Sequence, residues 1–206
     1  RLRTVTGVQT CALPISDTAY PSRPVRMLVG FTPGGTSDVV ARILSRKFTD
    51  MWGQQFVVDN RAGAAGMLAT ELTARAAPDG HTLLLATTTI ATSVSLYPKL
   101  GYDVVRDLAP VSLVVSVHNV LVVHPVLPVR SVKELVALAK SRPDALNYGS
   151  GGAGTLGNLV AEYFKSETGT RITHVPYNGT GPALTSLLSG EVQLLFTSPG
   201  SNILSN

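Results

Sequence analysis

The sequence predicts an α/β fold with mostly parallel sheets. Three observations carry this reading. Strand-sized apolar runs alternate with amphipathic helical stretches from residue 24 onward, and the turns between them are short and rich in glycine and proline. The same unit, a buried strand emptying into a glycine loop at a helix start, also occurs in both halves of the chain.

The elements follow in order. VRMLVGF at 25–31 is a buried strand and PGGT is the turn after it. Ser37 stands where a cap belongs, ahead of a helix with Val39, Val40, Ile43, Leu44 and Phe48 on one face. QQFVVDN at 54–60 is a second strand, followed by RAGAAG and a helix from about Met67 to Ala76. Pro78, Asp79 and Gly80 turn the chain into a third strand, HTLLLAT at 81–87, which runs into a hydroxyl-rich loop, TTIATS. The segment at 108–129 is apolar and long enough for a membrane helix. Pro110, His118, Asn119, Pro125 and Pro128 instead divide it into two buried strands, at about 109–116 and 119–124. With no helix between its halves, it is the place for a crossover between two lobes, with a boundary near 114–120.

SVKE at 131–134 has the form of a capping box ahead of a helix carrying Leu135, Leu138 and Ala139. ALNYG is the next strand and leads into NYGSGGAGTLG at 147–157. The helix beyond it shows Leu156, Leu159, Val160, Tyr163 and Phe164 as a core stripe, with Gly169 as its stop. RITHVPY is a strand, Pro182 sits where a first helical residue should, Gly190 closes that helix, and EVQLLFT at 191–197 is the last strand.

Composition narrows the function classes. A chain of 206 residues, 44% hydrophobic and 15% charged, buries a sizeable core. The net charge of +4 includes Arg1 and Arg3 in a leader without acids, and the remaining basic residues are dispersed, so nothing points to nucleic acid. The single cysteine, Cys11, excludes a disulfide framework and a thiolate metal site. His81, His118, His124 and His174 show no metal-ligand spacing, so neither a metal nor a cofactor is expected. RLRTVTGVQTCALPIS lacks the apolar core of an export signal and differs from everything after it.

Gly149, Gly151 and Gly154 meet the G-x-G-x-x-G spacing of a dinucleotide turn. The strand that should then supply an acid for the ribose offers only His174, Tyr177 and Asn178, and no Lys-Ser or Lys-Thr follows the glycines. No G-x-S-x-G elbow is present either. What remains is the pair FTPGGTSD at 31–38 and YGSGGAGT at 148–155. Helix starts present unpaired N–H groups and the positive end of the dipole, so they hold anions without lysine or arginine. Thr36, Ser150 and Thr155 add hydroxyl donors. Either loop alone is equally what a tight turn needs. Two of them, with TTTIATS as a third hydroxyl-rich loop, point to a carboxylate held between lobes and not transformed.

The chain resembles the tripartite tricarboxylate transporter substrate-binding proteins, also called the Bug family. The matching segments are YPSRPVRMLVGFTPGGTSDVVAR at 20–42, VVDNRAGAAG at 57–66, ARAAPDGHTLLL at 74–85 and LYPKLGYDVVRDLAPVSLV at 96–114. They continue with LNYGSGGAGT at 146–155 and HVPYNGTGPALTSLLSGEVQLLF at 174–196. The resemblance implies a two-lobed, type II periplasmic binding protein, a Venus flytrap that delivers an organic carboxylate to a transmembrane permease. It further implies a monomer in the periplasm, with lobe 1 over residues 19–116 and lobe 2 over 117–206. It maps the ligand contacts onto Phe31, Gly34, Gly35 and Thr36 in one lobe and Ser150, Gly151, Gly154 and Thr155 in the other. Thr88, Thr89 and Ser198 would tune which carboxylate fits. Asp38 matches too, but as a first-turn acid it serves the helix dipole. Residues 1–18 match nothing in the family and are expected to be a disordered or artefactual leader. Family members also continue past residue 206, so the first lobe is expected to lack its C-terminal return. Two rival readings keep the same clamp: a sensor presenting its closed form to a membrane kinase, and a small-molecule enzyme acting on an anionic substrate.

Overall fold

The computed structural model describes residues 20–198. The leader expected at 1–18, with Cys11, and the stretch from residue 199 onward lie outside the described residues. Three apolar runs form β1 (Val25–Val29), β2 (Phe56–Asn60) and β3 (Thr82–Leu85), all parallel, in the order β2-β1-β3. Parallel neighbours need crossover connections, which α1 (Thr36–Trp52) and α2 (Met67–Ala74) supply. The core here is Met27, Val29 and Ala41, framed by Leu44, Phe48 and Val58.

A second sheet has the order β4-β7-β5-β6, from β4 (Val120–Val123), β5 (Asn147–Ser150), β6 (Thr173–Pro176) and β7 (Leu194–Thr197). β5 runs parallel to β6 and β7, and β4 pairs antiparallel to β7. Alternation along β7 explains its unbroken apolar sequence. Leu194 and Phe196 pack with Leu135, Ala139 and Tyr148 under α4 (Val132–Ser141) and α5 (Leu156–Thr168). Leu195 faces the other way, toward Ala183, Leu187 and Val192 of α6 (Thr180–Leu188) and the turn beyond it. The cap expected at 131–134 forms in a shifted version: Ser131 Oγ accepts from the Glu134 amide at 3.2 Å, while the Glu134 carboxylate accepts at 2.7 Å from the amide of Arg130, one residue before the cap.

Several expectations are corrected. α1 caps at Gly35, without a side-chain cap, and not at Ser37. Its buried residues are Asp38, Ala41 and Ser45, whereas Ile43 is exposed. α5 shows the same rotation: Asn158 and Ala161 are buried, Val160 and Phe164 pack at the edge, and Leu156, Leu159 and Tyr163 are exposed. In both helices short side chains face the sheet and permit close approach, so the bulky stripe does not mark the contact. TTIATS is no loop, because α3 spans Thr89–Leu96. Its β-branched residues disfavour a helix intrinsically, so here tertiary packing overrides propensity. α6 starts at Thr180, two residues before Pro182.

The expected strand at 109–116 does not form; Val111 and Leu113 are both 86% exposed. An apolar run becomes a strand only beside an edge that takes its hydrogen bonds, and no described strand pairs with this one. No helix among the described residues is long and apolar enough to cross a membrane.

The close approach of α5 gives a direct test. A methyl group at Gly157 would lie 2.2 Å from the Phe196 carbonyl oxygen. Alanine regains roughly 0.5–1 kcal/mol of helix propensity, but overpacking against backbone costs about 1–3 kcal/mol. Gly157→Ala is expected to lower the urea midpoint, with the m-value unchanged.

Candidate functional site

The C-terminal ends of the parallel strands in both sheets empty toward one another. From β1 the chain passes through Phe31, Thr32, Pro33 and Gly34 to the α1 start at Gly35. From β5 it passes through Gly151, Gly152 and Gly154 to the α5 cap at Thr155. From β6 it reaches the α6 cap at Gly179, a helix start that the sequence reading did not assign to the site.

These starts meet. A methyl placed at Gly35 would lie 3.8 Å from the Gly181 amide nitrogen and 3.9 Å from that of Thr180. One placed at Gly151 would lie 3.4 Å from the same Thr180 nitrogen. The α1 and α6 starts and the β5 loop therefore bring backbone N–H groups to one small region. The Thr32 amide donates to the Asn178 carbonyl at 3.2 Å across the gap, and Thr36 and Ser198 share a hydroxyl hydrogen bond of 2.9 Å. From α3, Thr92 Oγ1 donates to the Gly154 carbonyl at 2.8 Å. Gly154 itself sits at φ 80°, a conformation open to glycine. The buried hydroxyl of Thr32 has no partner among the described residues and lies against Gly179.

Each loop is gripped from behind. In the first, the Asp38 carboxylate accepts from the Gly34 amide at 3.0 Å, from Asn60 Nδ2 at 3.0 Å and from Arg42 Nε at 2.9 Å, while Asn60 also donates to the Phe31 carbonyl. Asp38 thus does more than complement the helix dipole: it shapes the turn. Burial pushes its carboxyl up, but the hydrogen bonds from Arg42, the Gly34 amide and Asn60 outweigh that and hold it below the usual carboxylate range.

In the second loop, Ser150 is 1% exposed and its hydroxyl is already engaged, with Gly152 N–H and C=O at 3.1 Å and His174 Nε2 at 2.7 Å. Thr155 Oγ1 donates to the Gly152 carbonyl at 2.7 Å. Both hydroxyls, expected as ligand donors, therefore spend their bonds on the loop. Phe31 and Thr89 line a shallow cleft with Gly66 and Thr70, and Thr87 and Thr89 share a hydrogen bond of 2.8 Å. Thr88 is the exposed residue before α3 and is not among the residues lining that cleft. The missed α6 start had a readable signal, since YNGTGP repeats the glycine–hydroxyl chemistry of TPGGTS.

The match to the tripartite tricarboxylate transporter family receptors runs over residues 40–202. The chain belongs to this receptor family. Protein BugT of Bordetella pertussis is 44% identical over 183 residues, 88% of this chain and 56% of that protein. Among solved structures, the R. palustris protein Rpa4515 with adipate matches at 39% identity and a TM-score of 0.87, over 90% of this chain and 63% of that one. MatC of Rhodopseudomonas palustris with bound malate matches at 33% identity and a TM-score of 0.81, over 87% and 61%. The two-lobed periplasmic binding protein class expected from the sequence is the fold of this family member. The chain spans a little over half the length of the curated relatives it matches, 56% in the case of BugT.

The grip on the first loop carries a pH dependence with a definite sign. The folded chain holds the Asp38 proton less tightly than the unfolded one, so the stabilisation is complete above about pH 4 and is lost as pH falls through the depressed native value. Asp38→Ala, which removes the carboxylate that Gly34 N–H, Asn60 and Arg42 donate to, is expected to cost about 1–3 kcal/mol. Urea titrations should show the acid limb of the stability curve flattened in the variant.

Proposed function

We propose that this receptor-family chain forms the carboxylate-holding part of an extracytoplasmic solute-binding protein. It captures a small organic carboxylate between lobe 1 (residues 19–116) and lobe 2 (117–206) and delivers it to a tripartite tricarboxylate-type membrane transporter. It acts in the periplasm, as a monomer and without turning the ligand over. The observation that carries the reading is the convergence of the α1 and α6 helix starts with the Gly151 loop. Adipate and malate in the two solved relatives support the ligand class.

The chemistry of the clamp is amide chemistry. Gly35 and Thr36 offer backbone donors from one side; Gly151, with Thr180 and Gly181 of α6, offers them from the other, while Gly34, Gly154 and Thr155, whose amides are held by Asp38, Asn158 and the Gly152 carbonyl, shape the loops. Phe31, Thr89 and the unpaired Thr32 hydroxyl bound the space, and Thr88 and Ser198 stand at its rim. A helix start contributes up to ~2 kcal/mol to a partly buried anion, and each hydrogen bond to a charged group about 1.5–3 kcal/mol. Micromolar affinity needs about 8 kcal/mol. Two helix starts and a few donors reach that figure with a margin for the ordering that closure costs. Ser150 enters this reading through its hold on the loop.

The test is a thermal-shift screen of the full-length protein against di- and tricarboxylates, aromatic carboxylates and acidic amino acids. A rise in Tm with at least one carboxylate is expected, with unchanged ligand recovered after long incubation. Stabilisation by a nucleotide alone would sink the reading. Gly35→Leu places a side chain between the facing amides at a backbone conformation (φ −80°) open to any residue. It is expected to weaken carboxylate binding by about 100-fold or more while leaving the unliganded Tm within a few degrees.

A further inference from the structure

β5 and β6 pair with Tyr148 opposite His174, so both side chains stand on one face of the sheet, and Ser150 stands two residues further along the same face. The Tyr148 and His174 rings stack at 4.7 Å and 16°. From this stacked pair two lines of hydrogen bonds run into the glycine loop. One is His174 Nε2 to Ser150 Oγ at 2.7 Å, and then Ser150 to Gly152. The other starts at the Tyr148 hydroxyl, which donates to Glu162 at 2.5 Å and accepts from Asn158 Nδ2 at 2.8 Å. Asn158 Oδ1 in turn accepts the Gly154 amide at 2.9 Å. Both ends of the segment 152–154 are thereby tied to one ring pair behind the sheet.

We propose that His174 is a positioning residue for this loop: as an uncharged acceptor at Nε2 it holds Ser150 and, through it, the backbone amides of the clamp, so that its protonation loosens ligand binding. The inference rests on the clamp reading given above. Its logic is proton counting at one oxygen. Ser150 Oγ has one proton to give, and the Gly152 carbonyl already receives Thr155 Oγ1 at 2.7 Å and the Thr155 amide at 3.3 Å. The shorter contact, to His174 Nε2, takes the Ser150 proton and leaves Ser150 Oγ to accept from Gly152 N–H. Imidazolium at His174 reverses the His174–Ser150 bond. Ser150 Oγ must then accept from both His174 and Gly152 N–H and point its proton at the Gly152 carbonyl, 3.1 Å away and already holding two donors, which weakens the bonds that set the turn.

Three groups face the ring. Glu162 and Lys165 approach from α5, where they are paired at 2.9 Å, and Tyr148 stacks from β5. Burial pushes His174 below its ordinary value, the Glu162 carboxylate pulls it partly back, and Lys165 lowers it further. The proton therefore reaches the unfolded chain first as pH falls below about 6.5, and folded stability drops through that window.

The test compares wild type, His174→Gln, which keeps an uncharged hydrogen-bonding end, and His174→Ala. Without ligand, NMR of the full-length protein should show His174 with a bare Nε2 near neutral pH. The Gly152 and Gly154 amide shifts should follow the His174 titration in wild type and stay flat in His174→Gln. With adipate as probe, affinity should fall about threefold or more as pH is lowered through the His174 titration seen by NMR in wild type. The same acid should leave His174→Gln nearly unchanged at close to wild-type affinity, while His174→Ala binds weakly throughout. Gly152 and Gly154 amides indifferent to His174, or identical pH profiles in wild type and His174→Gln, would overturn the inference. If no carboxylate binds at any pH the clamp reading fails, and the amide titration still decides the role of His174.

Discussion

Everything in this molecule turns on holding the helix starts of the two sheets so that they face one place. An isolated amide donor in a protein interior is costly, and a loop left to itself would collapse to satisfy its own donors. The fold prevents this by fastening each loop from behind. Asp38, on the inner face of α1, fixes the first turn through Gly34; Ser150 and Asn158, behind the second sheet, fix the other through Gly152 and Gly154. The bonds from behind fix where each loop's backbone points.

The two anchors differ in kind. The first is an ionised carboxylate sharing its charge among an amide, an asparagine and Arg42, and it tolerates burial because each oxygen is bonded. The second is a network of neutral groups around Ser150 and Asn158, with the nearest charges, Glu162 and its partner Lys165, held one step away behind the Tyr148 hydroxyl. Burial and the neighbouring Glu162 both push that hydroxyl up and keep it protonated as a donor. An acid this close to the proposed carboxylate would repel it in the second loop as in the first. Pairing with Arg42 in one case and distance in the other removes that penalty.

How much of this the sequence shows depends on the period of the signal. Strands are legible because buried runs such as VRMLV and LLFT are short, apolar and bounded by glycine or proline turns. The two glycine loops are legible because their chemistry is local. Helix faces are not: α1 and α5 turn Asp38, Ala41, Ser45, Asn158 and Ala161 inward, and these small or polar residues carry no hydrophobic period. The α6 start is hidden by Pro182, which marks a first helical residue so strongly that the glycines before it read as turn. The grip of His174 on Ser150 exists only through the register that sets Tyr148 opposite His174, and a single sequence does not carry register between paired positions 26 residues apart.

Among the described residues, the hydrogen bonds that join the loops across the gap are uncharged: the Thr32 amide to Asn178, Thr36 with Ser198, and Thr92 to the Gly154 carbonyl. Each neutral hydrogen bond is worth about 0.5–1.5 kcal/mol net. Three of them together amount to a few kcal/mol, the range in which two conformations are both populated and a ligand decides between them. A salt bridge or an apolar seam in the same place would hold the loops together with no ligand present, and under the proposed clamp a carboxylate would then have nothing to shift. Weak, neutral contacts would instead leave the ligand's charge as the term that decides between an open and a closed arrangement. That is the condition the proposed capture-and-release role would have to meet.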